Sequence, residues 1–369
     1  MGNKKILIIF PDPWISVAPS IINFTRMLEK YGISSVILYY HGSGEFYNNN
    51  LPLKLYSVKL PKILEKIFSK AKILSYIKIF LMLFSAYNIL KKEDINKVVG
   101  VDDVGFFTSL FLPRIRRIYY SLEINRGLLN KIIFTFIKPF VIIQNKQRLS
   151  YLAGNYDLNK VAFIQNSPIL ENEYCSYYEG SKTGLIYFGN LLKSHGVEEC
   201  ISLLRLMDEK LTIKFFKTKT SEKYLEELKR KYSDLIKSGR LIFQDFYLEQ
   251  DKVVDYLKNF KVGFVFYDQK LIRKNYNYAT SPSGKIFNYL AAGVPVIASK
   301  LTSFDFVEEF KCGILIEDLD VNTIYQSVQK IYSNYNEYSN NALRAIKFLA
   351  YNHMFEKEKE KIFYHLNLD

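Results

Sequence analysis

Cysteine is scarce in this sequence of 369 residues. The three cysteines, Cys175, Cys200 and Cys312, are far apart and odd in number, and neither a Cys-x-x-Cys pair nor a nearby histidine gives the spacing of zinc ligands. Neither a disulfide framework nor a structural zinc site is therefore expected. We expect three reduced thiols in a cytoplasmic protein.

Acidic residues are scarce in the first half of the chain. Residues 1–170 carry 23 lysines and arginines against 10 aspartates and glutamates, whereas residues 171–369 carry 28 against 27. Nearly all of the net charge of +14 therefore lies in the first half, which indicates an anionic partner for that half. Nucleic acid and an anionic membrane surface are the usual candidates. The lack of a nucleic-acid-binding motif favours the membrane surface.

The N-terminal sequence predicts a buried strand. Only five apolar residues precede Pro11, too few for the core of a signal peptide. Ser20 is predicted to cap the next helix, Gly32 to end it, and the residues SSVILYY to form a second strand. This β-α-β beginning is typical of a doubly wound parallel sheet. Further apolar strands are predicted at 97–102, 116–123 and 140–145.

The same alternation restarts after residues 166–182, which we predict to be an interdomain linker. The sequence therefore predicts an α/β protein with two Rossmann-like, doubly wound domains that face each other across a cleft. The predicted domains are 1–170 and 183–345, followed by a C-terminal helix at 346–369 that packs back towards the first domain.

The most informative segment is SPSGKIFNYLAAGVPVIAS, residues 281–299. Ser281 or Ser283 is placed to cap a helix, and Gly284 leaves its backbone open to a ligand. Lys285 puts a positive charge in the first turn, where the helix dipole favours an anion. Bound phosphate would resolve that mismatch. The competing interpretation is an ordinary capped helix with a solvated lysine.

This segment resembles the donor-site helix of GT-B glycosyltransferases, especially the family-4-like enzymes of bacterial surface polysaccharide synthesis. Residues 185–201, 141–152, 163–168 and the two stretches GVDD and RIYYSLEI resemble other parts of those enzymes. The resemblance spans most of the chain. It implies a GT-B fold and a UDP- or GDP-linked sugar, used as a substrate, with no cofactor and no metal.

The resemblance places the donor on the second domain. The donor-binding candidates are Gly189, Lys193, Arg273, Thr280, Ser281, Ser283, Gly284, Lys285 and Asn288. Thr280 and Asn288 stand where many of these enzymes carry two glutamates, and Asn190 and His195 stand where an arginine and a lysine are usual. Lys193, Arg273 or Lys274 could replace those cations.

The resemblance places the acceptor on the first domain. Polar residues at its predicted strand ends are the candidates, with Asp102 and Glu123 as the preferred catalytic pair because both follow apolar strands. Asp12, His41 and Asp103 are predicted to contact the acceptor. If the anomeric configuration is retained, the leaving phosphate itself could take the proton.

Residues 59–92 hold eight lysines and one glutamate among isoleucine, leucine and phenylalanine. This composition favours an amphipathic helix on a membrane surface over a core helix or a membrane-spanning one.

We therefore expect a hexosyltransferase at the inner face of the cytoplasmic membrane, acting in capsule or lipopolysaccharide synthesis. Its predicted partners are a nucleotide sugar, a free or lipid-linked saccharide and an anionic membrane, but no nucleic acid. A nucleotide-sugar epimerase on the same fold and a non-catalytic binding protein derived from a transferase are the alternatives.

Overall fold

The computed structural model describes residues 4–15, 18–42, 53–61, 73–170, 182–215, 219–246, 248–268, 272–273, 275–281 and 283–368. The chain divides into two compact units: residues 1–165 with 351–369, and residues 166–350. Most of the predicted linker 166–182 lies outside the described residues, as does Cys175, whereas Cys200 and Cys312 are free and buried.

The first unit is built on a parallel sheet. Its described strands run in the order β3-β2-β1-β4-β5-β6-β7. They are β1 (Lys5–Phe10), β2 (Ser34–His41), β3 (Lys54–Lys59), β4 (Lys97–Val101), β5 (Arg116–Tyr120), β6 (Val141–Ile143) and β7 (Val161–Phe163). The central strand β1 is a continuous apolar run that is buried on both faces, as expected when helices cover a parallel sheet on both sides.

Helices cover both faces of this sheet. They are α1 (Pro19–Lys30), α2 (Ile73–Glu93), α3 (Asp102–Leu110), α4 (Leu128–Ile132, continued by a π-helical turn at Ile133–Ile137) and α5 (Lys146–Ala153). Helix α3 packs against both α2 and α4, and right-handed crossovers place these three in one layer. Helix α1 begins at Pro19, so Ser20 lies inside the first turn and does not cap it, contrary to the prediction.

The second unit repeats the architecture. Its described strands run in the order β10-β9-β8-β11-β12-β13. They are β8 (Leu185–Phe188), β9 (Leu211–Lys214), β10 (Leu241–Gln244), β11 (Val262–Val265), β12 (Val296–Ser299) and β13 (Gly313–Ile316). The helices are α6 (Val197–Ser202), α7 (Lys219–Lys231), α8 (Ser233–Lys237), α9 (Val253–Leu257), α10 (Tyr276–Thr280), α11 (Gly284–Ala291), α12 (Phe306–Glu309), α13 (Val321–Ser333) and α14 (Tyr335–Leu349).

The last helix, α15 (Tyr351–Leu366), belongs to the first unit. Ala350 adopts an extended conformation that separates α15 from α14. The Tyr351 hydroxyl lies 3.0 Å from that of Tyr120 on β5, and Phe355 packs edge-on against Phe24 of α1. Helices α15 and α1 thus cover the sheet face opposite α2, α3 and α4.

The strand orders fix where ligands are expected. In each sheet the direction of winding reverses at one point, between β1 and β4 in the first unit and between β8 and β11 in the second. Open α/β sheets bind ligands outside the carboxyl ends of the strands at this point. Ligand-binding residues are therefore expected directly after these four strands.

Candidate functional site

In the second unit, helix α11 begins beside the reversal point. Its N-cap residue, Ser283, has an extended backbone, but its side chain does not cap the helix. The Ser283 hydroxyl is hydrogen-bonded to Tyr267, which follows β11. Ser281 instead ends α10, so neither serine acts as the predicted cap. The backbone N–H groups at the start of α11 therefore have no side-chain cap, which suits an anion.

Lys285, in the first turn of α11, sits between two aromatic rings. Its Nζ atom lies 5.0 Å from the ring centroid of Tyr187 on β8 and 5.2 Å from that of Tyr267. Among the residues that the structure describes, it has neither a hydrogen-bond partner nor an ion-pair partner. Burial lowers the pKa of Lys285 to about 8. Two tyrosine faces stabilise the ammonium only partly, so the site favours an incoming anion.

Gly189, directly after β8, lies beside the same ammonium. A Cβ atom at this position would meet the Cδ and Nζ atoms of Lys285 at 3.5 Å. Its φ of 148° is in the region that favours glycine, which explains the need for this residue at the strand end. The sequence-predicted residues Gly189 and Lys285 are therefore neighbours.

His195 contacts the same two tyrosines as Lys285 but adds no positive charge to the site. Its side chain is buried, its Nδ1 lies 3.3 Å from the Tyr187 hydroxyl, and its ring packs edge-on against Tyr267. Burial, followed by repulsion from Lys285, lowers the pKa of His195 to about 4. His195 is thus neutral at pH 7 and does not replace the usual lysine as a phosphate-binding cation.

Asn288 and Thr280, which stand at the two glutamate positions of the resembled family, differ in exposure. Asn288 lies one helical turn beyond Lys285 and is half-buried. Thr280 is fully buried and donates its hydroxyl hydrogen bond to the Tyr276 carbonyl at 2.6 Å. A Cβ atom added at Gly284 would lie 3.2 Å from the Asn166 side chain. Asn288 is therefore the better placed of the two to reach a ligand bound at Lys285.

The other predicted cations are not gathered at Lys285. Lys193 is mostly exposed and pairs with Glu227 of α7 at 2.7 Å, and its ammonium lies over the ring of Tyr224. Arg273 is exposed, and Lys274 lies outside the described residues. Lys285 is thus the one predicted cation that the described part of the chain places at the start of α11.

In the first unit, three carboxylates lie at the carboxyl ends of β1, β4 and β5. Asp102 has a φ of 51°, which short polar residues tolerate, and its Oδ1 accepts hydrogen bonds from the backbone N–H groups of Leu122 (2.7 Å) and Glu123 (3.0 Å). Burial, together with the charges of Glu123 and Asp12, raises the pKa of Asp102 well above its ordinary value. Asp12 and Glu123 are therefore close enough to Asp102 for their charges to act on it.

Two cations that were not predicted accompany these carboxylates. Lys78 of α2 pairs with Asp12 at 3.2 Å and donates to the Pro11 carbonyl at 2.9 Å. Arg148 of α5 is completely buried, donates to the Leu122 carbonyl, and attracts Glu123 and Asp102. Arg148 lies in a segment that resembles the family, but only its burial shows that it belongs to this edge.

The remaining acceptor candidates lie apart from this group. Asp103 is buried, and its Oδ1 accepts a hydrogen bond from Tyr119 at 3.0 Å within the core. Burial raises the pKa of Asp103 to about 6. His41 is exposed at the end of β2, with its ring 6.1 Å from that of Tyr39.

No group of three or more histidine, cysteine, aspartate or glutamate side chains is arranged to hold a metal ion within the described ranges. The one Asp-x-Asp sequence, Asp318 to Asp320, has a structural role at its second residue. The Asp320 side chain accepts the Thr323 N–H at 2.8 Å and caps α13.

Residues 209–358 match the family model described as "Glucosyltransferase 3-like, C-terminal domain". The matched range includes α11 with Lys285 and Asn288. A comparison of the sequence with curated proteins finds no match.

Three solved structures resemble the chain over almost its whole length. The HepE protein of Anabaena, solved with UDP and glucose, has a TM-score of 0.68 at 13% identity and covers 98% of this chain and 99% of its own. Sucrose-phosphate synthase of Thermosynechococcus elongatus gives 0.70 at 11%, covering 99% and 100%. The lipopolysaccharide outer core galactosyltransferase WaaB gives 0.64 at 13%, covering 98% and 100%. The GT-B fold with two Rossmann-like domains, predicted from the sequence, is confirmed.

Proposed function

We propose that this GT-B glycosyltransferase transfers a hexose from a nucleoside-diphosphate sugar, UDP- or GDP-linked, to a saccharide acceptor. The observation that carries the proposal is the Lys285 ammonium, held between Tyr187 and Tyr267 at the uncapped start of α11. A pyrophosphate would supply the negative charge that the Lys285 ammonium lacks among the described residues.

The energetics of Lys285 support a phosphate ligand. A partly buried ammonium that lacks an anion loses hydration without full compensation, and the lowered pKa of about 8 reflects that cost. A diphosphate would supply charge-assisted hydrogen bonds to Lys285 and to the free N–H groups of α11. Gly189 leaves room beside the ammonium for the phosphate to approach.

We further propose that Asn288 binds the ribose of the nucleotide. Lys285 and Asn288 are three residues apart on one helix face, about 4.5 Å along the axis. A side-chain amide offers both a donor and an acceptor to a diol. Asn288 would then have the role of the resembled family's glutamate without its negative charge.

The acceptor is proposed to bind at the carboxylate edge of the first unit. Asp12 and Glu123 would accept hydrogen bonds from sugar hydroxyls, and Asp102 would serve as the general base. A carboxylate with a raised pKa is a stronger proton acceptor than an ordinary one. If the reaction retains configuration, the leaving phosphate takes this proton, and Asp102 only orients the hydroxyl.

The named structures lend support to the donor class. HepE has been solved with UDP-glucose, and the trehalose-6-phosphate enzyme of E. coli with UDP-2-fluoro glucose. WaaB is named for lipopolysaccharide synthesis. By analogy we propose a lipid-linked acceptor of capsule or lipopolysaccharide synthesis, with the enzyme peripheral on the inner face of the cytoplasmic membrane.

A product assay tests this function. The full chain is incubated with UDP-glucose, UDP-galactose or GDP-mannose, with and without a panel of saccharide acceptors, while nucleoside diphosphate and saccharide products are quantified. A transferase forms a longer saccharide only when acceptor is present. Conversion of the sugar nucleotide without acceptor would show an epimerase instead, and tight nucleotide binding without any product would show a non-catalytic binding protein.

A further inference from the structure

Exposed apolar side chains are concentrated in one layer of the first unit. Of the 15 large apolar side chains that are exposed among the described residues, eight lie on α2, at the end of α3 and on α4 with its π-turn. They are Tyr76, Phe80, Phe84, Tyr87, Phe111, Leu128, Phe136 and Ile137. We call this layer surface the aromatic face. Concentrated apolar exposure of this kind marks an interaction surface.

Helix α2 supplies half of the aromatic face. Tyr76, Phe80, Phe84 and Tyr87 are spaced by four, four and three residues, so they form one stripe along the helix. Phe80 and Phe84 are each 60% exposed, and their rings contact each other edge-on at 5.1 Å. The opposite side of α2 is buried against the sheet through Ile79, Met82, Ala86, Ile89 and Leu90. The stripe is therefore not needed for the core.

The buried side of α2 also argues against a spanning helix. Residues 74–93 are long and apolar enough to cross a membrane by length and composition. However, Met82 and Ala86 are completely buried in the core that β1, β2 and β4 form. Pulling α2 into a bilayer would expose that core to water. A surface-lying position uses the outer stripe and keeps the core intact.

The exposed charges around the aromatic face are mostly positive, with Asp94 directly after α2 as an exception. Lys91, Lys92, Arg114, Lys131 and Lys138 are exposed on or next to its three helices. Lys91 lies over the ring of Tyr87 at 4.4 Å, so its cation borders the stripe. Lys78, by contrast, turns inward to Asp12. Residues 62–72 of the predicted amphipathic segment 59–92 lie outside the described residues. Within α2, the outer surface of that segment is aromatic, and the exposed cations lie at its end.

We infer that the aromatic face docks on the surface of an anionic lipid bilayer, with its phenylalanines in the interface and its lysines among the headgroups. This inference deepens the proposed peripheral membrane location by assigning the docking surface and its lipid charge, and it does not depend on the donor site. Charge complementarity selects the bilayer over a second copy of the chain, because two copies would bring the same cations together. Aromatic and basic side chains together are the composition of interfacial anchors.

Vesicle co-sedimentation of the full chain tests the inference. Vesicles of phosphatidylcholine with about a third phosphatidylglycerol are compared with pure phosphatidylcholine. We expect binding to the anionic vesicles, weakened by salt. Phe80→Gln with Phe84→Gln should reduce the partition coefficient about tenfold or more, because two rings no longer enter the interface. Lys131→Gln with Lys138→Gln should reduce it roughly fivefold per lysine on anionic vesicles only.

Tyr364→Gln is the matched control, since Tyr364 is 72% exposed on α15, on the opposite face of the same unit. It should leave the partition coefficient unchanged, and circular dichroism should show all variants folded. Equal binding to neutral and anionic vesicles, or unaltered binding by the Phe80/Phe84 variant, would overturn the inference. So would a dimer in sedimentation velocity that the Phe80/Phe84 variant dissociates, because that result would assign the face to a second copy.

Discussion

At the scale of single residues, the burial of Lys285 ties nucleotide binding to pH. Its pKa of about 8 in the free protein means that the ammonium loses its proton above that pH. Because a diphosphate binds the charged form, we expect the UDP affinity to fall only about twofold between pH 7 and 8 and to approach a tenfold fall per unit above pH 8. Isothermal titration calorimetry from pH 7 to 9.5 measures this profile.

Lys285→Arg provides the matched comparison, because a guanidinium stays protonated over this range. Its UDP affinity, whatever its absolute value, should not fall between pH 8 and 9.5. A steep fall in both proteins would assign the pH dependence to another group.

His195 makes the stability of the protein sensitive to acid. Its pKa is about 4 when folded and 6.5 ordinarily, so the unfolded chain binds more protons between these values. Stability that is present above pH 6.5 is therefore lost as the pH falls towards 4. We expect the wild type to lose about 2–3 kcal/mol more than His195→Gln between pH 7 and 4.5 in urea unfolding. Equal losses in the two proteins would contradict the burial of a neutral imidazole.

Asn288→Glu restores the residue that the resembled family carries. If the ribose lies at Asn288, donor affinity should be kept or increased, because a carboxylate accepts from a diol more strongly than an amide does. Calorimetry with UDP and a melting curve are measured on the same variant. A lower melting temperature without a gain in affinity would show that Asn288 packs against protein and does not bind the ribose.

At the scale of helices and strands, the sequence predicted the elements that are uniformly apolar. Strands β1, β2, β4, β8 and β12 are continuous buried runs, and α11 buries the apolar residues Ile286, Phe287, Leu290 and Ala291. Strand β3 was not predicted because it lies at the sheet edge and only Val58 of its six residues is buried.

Side-chain direction was less predictable than element type. Lys78 is one of the eight lysines in the predicted amphipathic segment 59–92, yet it faces Asp12, since only the packing of α2 decides which side turns inward. Arg148 lies in a polar segment, and its burial follows only from the packing of α5. Ser281 and Ser283 are of a residue type that commonly caps helices, but neither side chain caps α11. Interactions that depend on tertiary packing leave no local sequence signal.

The left-handed backbone conformation of Gly293 ends α11, and replacing Gly293 tests how much this helix end contributes to stability. Its φ is 62°, and a Cβ atom would meet the Leu343 side chain at 3.2 Å. Gly293→Ala should destabilise the protein by about 1 kcal/mol or more in urea unfolding. Gly239, with a φ of 72° and nothing within 4 Å, is the control for backbone strain alone. A smaller loss at Gly293 than at Gly239 would contradict the tight packing of α14 at this turn.

At the scale of the whole molecule, the two units differ in charge and in chemistry. The first carries the carboxylate edge, the aromatic face and, in residues 1–170, a charge balance of +13. The second is nearly neutral and carries Lys285. We assign the acceptor and the bilayer to the first unit and the nucleotide to the second. Both sugar transfer and donor choice depend on the nucleotide site.

Calorimetric titration of UDP and GDP into wild type, Lys285→Ala and Lys300→Ala tests the nucleotide site most directly. Lys300 is an exposed lysine paired with Glu317 in the same unit, and its removal should not change the affinity. We expect Lys285→Ala to weaken the binding of whichever nucleotide binds more tightly by about 1.5–3 kcal/mol, the scale of a charge-assisted hydrogen bond. An unchanged nucleotide affinity in Lys285→Ala, with the protein still folded, would contradict the site.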